Sequence, residues 1–94
     1  MNSTTLSRRA VTIRTKRIIA KKKAMPVSEV LLSAYLRNSL RFTDPGVRAL
    51  SLPLNREFKP VGVLITPAES GACQTVKDVR NLVWKKLPEH RRGE

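Results

Sequence analysis

The chain has 94 residues, 40% of them hydrophobic, and 19 Lys and Arg against 7 Asp and Glu give it a formal net charge of +12 at pH 7. One cysteine, Cys73, excludes an internal disulfide framework, and one cysteine with one histidine, His90, cannot build a zinc centre by themselves. No uncharged apolar stretch approaches the ~20 residues of a membrane-spanning helix, and the basic start runs into more lysine instead of the apolar core of a secretory signal.

In chain order, residues 1–25 form a basic N-terminal arm with a flexible end at 1–9. Its eight cations, Arg8, Arg9, Arg14, Lys16, Arg17, Lys21, Lys22 and Lys23, precede the first carboxylate, Glu29. Unpaired charge at this density repels itself and is usually neutralised on a polyanion, here RNA, DNA or an anionic membrane surface. Six of the ten residues in 10–19 are β-branched, which predicts a strand or an extended arm. The acid-free Arg, Ser and Thr composition of 1–25 also suits a mitochondrial transit peptide, so the expected location is intracellular, cytoplasmic or mitochondrial.

A compact domain is expected over 26–88. Ser28 can cap a helix that runs over 28–41, with Glu29 in its first turn. Its apolar residues form two stripes, Val27, Val30, Leu31, Ala34 and Tyr35 on one face and Leu32, Leu36 and Leu40 on the other. Two stripes imply burial on both sides, by the domain's own layers or by a partner. Thr43-Asp44-Pro45-Gly46 is strong turn chemistry. Leu50, Leu52 and Leu54 alternate with smaller residues as a short edge strand that contains Pro53. Residues 55–60 are a connection of hairpin length, 61–66 a more buried strand and 67–71 a loop. Thr75-Val76-Lys77-Asp78 matches a helix capping box, after which Val76, Val79, Val83 and Leu87 form one apolar stripe that Pro88 stops. Residues 89–94 are a polar tail. The expected fold is α+β: a small antiparallel sheet, made of the β-hairpin and the N-terminal strand, packed against two helices.

Catalytic constellations are absent from this pattern. Ser70 lacks the Gly-x-Ser-x-Gly setting of a nucleophile elbow, and no phosphate-binding loop or dinucleotide fingerprint is present. Cys73 suits a small buried residue before a helix, and His90 a tail residue. No enzyme activity, cofactor or metal is expected.

Nucleic-acid chemistry fits the chain better. Arginine forks hold phosphate oxygens bidentately and lysines act as point charges. The arm cations are the expected contacts, joined by a second cluster of Lys77, Arg80, Lys85, Lys86, Arg91 and Arg92 around the last helix. Four aromatics are too few for base stacking to dominate, and no zinc-finger, basic-zipper or aromatic single-strand motif occurs. Phosphate charge and helix shape should therefore govern binding, which favours structured RNA.

In general character, short and strongly basic with one compact unit and a basic end, the chain resembles a ribosomal protein. Val11-Thr12-Ile13, the leucines of 28–41, Val47-Arg48 and Leu54-Asn55 are loosely similar to a small large-subunit ribosomal protein of archaea and eukaryotes. The later part lacks that family's tryptophan, glycine and basic strand pattern, and no site residue is carried across.

The expectation is thus a nonenzymatic RNA-binding structural protein, a ribosomal or other ribonucleoprotein-particle subunit with protein neighbours. Two alternatives stand beside it. One is an assembly subunit acting through Leu32, Leu36 and Leu40. The other is a small viral or regulatory protein that binds double-stranded RNA as a homodimer through helix 28–41.

Overall fold

The computed structural model describes residues 5–93; residues 1–4 of the expected flexible end and Glu94 of the expected tail lie outside it. Among these residues five α-helices follow one another: α1 Arg8–Lys23, α2 Asp44–Ala49, α3 Ser51–Phe58, α4 Pro67–Gly71 and α5 Val76–Lys86. Single 3₁₀ turns occupy Val27–Glu29, Lys59–Val61 and Glu89–Arg91. The described residues are mostly helical (62%) and contain no strand or sheet, so the expected α+β fold with an antiparallel sheet is wrong. Two isolated bridges, Leu6 with Arg92 and Tyr35 with Thr75, are the β-type pairings present among these residues.

The expected strand at 10–19 lies inside α1. Val11, Thr15, Ile19 and Ala20 are buried, and Ile18 packs beside them. Positions 11, 15, 18 and 19 are one helical face. A few tenths of a kcal/mol of unfavourable propensity per β-branched residue is outweighed by burial of Val11 and Ile19, worth ~1.5–3 kcal/mol each. Ser7 Oγ accepts from the Ala10 N–H at 3.0 Å to start the helix. Ala24 ends it in the left-handed region at φ 53°, and Lys21, Lys22 and Lys23 sit at the negative end of the helix dipole. Thr15 leaves a fault: its hydroxyl is buried without a hydrogen-bond partner. Thr15→Val is expected to raise stability by about 1 kcal/mol, read as a Tm increase of ~5 °C.

The expected helix over 28–41 is instead a strap of turns crossing the start of α5. The carbonyls of Leu32 and Ala34 accept from the N–H groups of Lys77 and Val76 at 2.9 and 3.1 Å, and the Leu36 N–H donates to the Gln74 carbonyl at 2.8 Å. The strap thus satisfies two of the orphan donors in the first turn of α5, a use of its carbonyls that a continuous helix would forbid. Both sequence stripes are split by this path: Val30, Leu36 and Leu40 enter the core, Leu32 packs against it, and Leu31 and Tyr35 face outward. Arg37 pins the strap in place. Its guanidinium meets the Asp44 carboxylate and donates to the carbonyls of Cys73 at 3.1 Å and Gly71 at 2.9 Å.

The expected hairpin is a helix followed by extended chain. Thr43 caps α2 by accepting from the Gly46 N–H at 3.1 Å. In α3, Leu54 and Phe58 are buried with Leu50 just before the helix, whereas Leu52 is 67% exposed. A strand would put Leu50, Leu52 and Leu54 on one side, so the exposure of Leu52 distinguishes the two geometries. Pro53 falls in the first turn of α3, where a missing N–H is tolerated. Beyond it, Val61, Val63 and Ile65 do alternate inward, but no second strand joins them. The Asn55 side chain takes that place, donating to the Ile65 carbonyl at 2.9 Å and accepting from its N–H at 2.7 Å. The expected loop at 67–71 is α4, with a capping box of Thr66 and Glu69.

Helix α5 forms as expected. Thr75 Oγ1 accepts from the Asp78 N–H, and Asp78 accepts from the Thr75 N–H, both at 3.1 Å. Val76, Val79, Val83 and Leu87 are buried. The radius of gyration, 12.6 Å, is close to the ~12 Å of a compact chain of this length.

Candidate nucleic-acid interface

Helix α1 lies between α5 and α3. On the α5 side, Arg80 donates to Thr12 Oγ1 at 2.9 Å. On the α3 side, Arg14 pairs with Glu57 at 3.2 Å, a bridge more than one-third exposed and worth little in stability. At 100° per residue, the side of α1 away from Val11, Thr15 and Ile19 carries in angular order Lys16, Arg9, Ala20, Ile13, Arg17, Ala10 and Lys21; Ala20 is buried and Ala10 packs against the core, so the cations project around two small covered residues. The helix has no carboxylate of its own. Among the described residues, no carboxylate comes within ion-pair distance of Arg9, Lys16, Arg17, Lys21 or Lys22. Packing of the opposite face fixes these charges on a rigid rod.

Other expected contacts are bound to their own fold. Arg8 lies over the Trp84 ring at 5.1 Å and Arg92 lies over the same ring at 5.5 Å, so the indole has two guanidinium neighbours. Arg92 also donates to the carbonyls of Leu87 and Lys85. Lys23 stands 4.8 Å from the Phe42 ring and donates to the Arg41 carbonyl at 3.3 Å. Lys86 pairs with Glu69 at 2.6 Å. That ammonium, and the Thr66 N–H after it, hold the Glu69 carboxyl below its ordinary value of 4.5. The stabilisation from this pair is present above pH 4.5 and is lost as pH falls through the lower folded value. Arg91 is half-buried, and Lys77 and Lys85 are exposed. The expected second cluster is therefore divided, with Arg80, Lys86 and Arg92 engaged within the chain.

The expected protein-contact residues lie elsewhere than on an open face. Leu36 and Leu40 are in this chain's own core, and Leu32 is half-buried against it. The exposed apolar residues of the strap are Leu31, at 57%, and Tyr35, at 52%.

A groove of about 610 Å³ separates α1 from α3. Its walls carry Arg14, Arg17, Lys21 and Lys22 from α1, with Arg56 and Glu57 from α3. Ile18, Leu52 and Pro53 give it an apolar lining. Arg56, Leu52 and Pro53 escape the sequence reading as site residues because Leu50, Leu52 and Leu54 look like an edge strand and 55–60 like the connection of a hairpin. The available signal was the four-residue repeat of Leu50, Leu54 and Phe58, which places 52 and 56 together on the outside of a helix.

Among the described residues, no three His, Cys, Asp or Glu side chains stand close enough to hold a metal ion. Burial and the Asp78 charge, partly offset by Arg37, push the Cys73 thiol up to about 11. A thiol so held is a poor nucleophile near neutrality. Alkylation of Cys73 by iodoacetamide at pH 8 is expected to be slow in the native chain and fast in denaturant. Fast native reaction would contradict this burial. The folded state keeps a proton that the unfolded thiol releases above 9.0, so this contribution is full below pH 9 and declines as pH rises towards about 11.

No family model and no curated protein matches this chain.

Proposed function

We propose that the chain is a nonenzymatic RNA-binding protein, a subunit of a ribosome or other ribonucleoprotein particle, which holds RNA phosphates on the outer face of α1. The observation that supports this most is the row of Arg9, Lys16, Arg17 and Lys21 on the side of α1 away from Val11, Thr15 and Ile19, which are packed into the core. A rigid row of cations engages phosphates with less loss of conformational freedom than a flexible tail does. Structured RNA is favoured over base-stacked single strands, since Phe58 is buried, Phe42 and Trp84 already face cations, and Tyr35 is the most exposed aromatic.

About five phosphate contacts give a slope of log K against log salt of about −4 to −5 on a duplex. Anisotropy titrations of a structured RNA between ~50 and ~200 mM salt measure it directly. A flat salt response, or no binding, would sink this function.

A second function, as a protein-assembly subunit, is supported by the outward Leu31 and Tyr35, with Val27 beside them in the sequence pattern. It differs from the first in the surface a partner would cover.

A further inference from the structure

Phosphate contact leaves one property of the α1–α3 groove unused. Leu52, 67% exposed, opens into a space rimmed by five cations. Pro53 adjoins it, and Ile18 faces it from α1. Glu57, the carboxylate on this wall, is already taken by Arg14 at 3.2 Å. An apolar surface set among charges gains nothing from a regular duplex, which keeps its bases stacked inside and offers sugar and phosphate outside.

We propose that this groove receives one unpaired nucleotide of the bound RNA, its base lying on Leu52, Pro53 and Ile18 and its flanking phosphates held by Arg17, Lys21 and Arg56. The proposal rests on the RNA-binding function above and names the form of RNA it takes. An unpaired nucleotide combines a flat, weakly polar face with an adjacent anion, the pairing that this lining and rim complement. Arg56 can both bind phosphate and lay its guanidinium plane against a base. The groove offers no free side-chain carboxylate or amide, so its arginines and lysines are the groups that meet a base edge, and such donors suit guanine O6 and N7. An acidic peptide is the rival occupant. Five cations around one groove match a polymer charged at every unit, whereas a peptide meets them only with a run of adjacent acids.

The test compares three RNAs of equal length on the full chain: a hairpin with an unpaired loop, the same hairpin with abasic loop nucleotides, and a fully paired duplex. Leu52→Ser is expected to weaken binding of the intact hairpin about tenfold, to change the other two less than about twofold, and to leave the salt slope unaltered. Leu52→Met should retain hairpin affinity. Because Leu52 is exposed, neither variant disturbs the core. Equal effects of Leu52→Ser on all three RNAs, or no effect on the hairpin, would overturn the nucleotide site while leaving phosphate binding by α1 intact. Displacement of RNA by an acidic amphipathic peptide whose own binding needs Leu52, with hairpin affinity indifferent to Leu52→Ser, would assign the groove to a protein instead. Failure of the native chain to bind any of the three at ~50 mM salt would defeat the RNA-binding function itself.

Discussion

Replacing Arg9, Lys16, Arg17 and Lys21 together by glutamine is expected to lower affinity for a structured RNA about a hundredfold at ~0.15 M salt and to reduce the salt slope by about 3 to 4. Each lost phosphate contact removes close to one unit of slope, because fewer counterions are released on binding. The substitution leaves the buried side of α1, with Val11, Thr15 and Ile19, untouched. Glutamine has nearly the helix propensity of lysine and arginine, and removing like charges relieves repulsion along the helix. Unchanged helical circular dichroism with weakened binding would therefore locate the effect in the interface. Glutamine at Lys77 and Lys85, the exposed cations of α5, removes two charges; set against the matched pair of Arg9 and Arg17 to glutamine, it should cost far less. Equal losses from the two pairs would mean that net charge alone, without the α1 row, governs association.

Leu36→Ala is expected to destabilise the isolated chain by about 3 kcal/mol and to lower its Tm by ~15 °C. Leu36 is fully buried, and its backbone N–H is bonded to the carbonyl of Gln74 at the entry to α5. Truncation leaves a cavity at the junction of the strap with the helix that the strap caps. In a chain of 94 residues, that loss is a large share of total stability. Denaturant unfolding of the variant measures it. A loss under about 0.5 kcal/mol would mean that this leucine faces a partner, as an exposed stripe over Leu32, Leu36 and Leu40 would require.

The contrast between α5 and α1 shows what could be read from sequence. Helix α5 carries every local signal at once: Thr75 with Asp78 at its start, valines at helical spacing, lysines in the last turn and Pro88 after it. In α1, residue type and spacing disagree. Its β-branched content points to a strand, whereas the burial of Val11, Thr15 and Ile19 needs a helix, and tertiary packing decides. Helices α2 and α4, of 6 and 5 residues, are too short for periodicity to appear. Leu50, Leu52 and Leu54 satisfy an alternating pattern that the structure does not use. The strap at 28–41 follows from bonds that no local pattern encodes, since its carbonyls serve a helix more than forty positions later. For the interface, the charge density of 8–23 was legible. The sorting of those cations into an outer row and residues such as Arg8 and Arg14, tied to Trp84 and Glu57, depends on the fold.

Placement of RNA along the outer face of α1 is tested most directly by mapping backbone amide shifts during titration of the labelled chain with an RNA hairpin. The predicted result is a set of perturbations over residues 9–22 and around Leu52 and Arg56 that fades as salt is raised. Perturbations confined to Val27, Leu31 and Tyr35, or to the surface of α5, would contradict it.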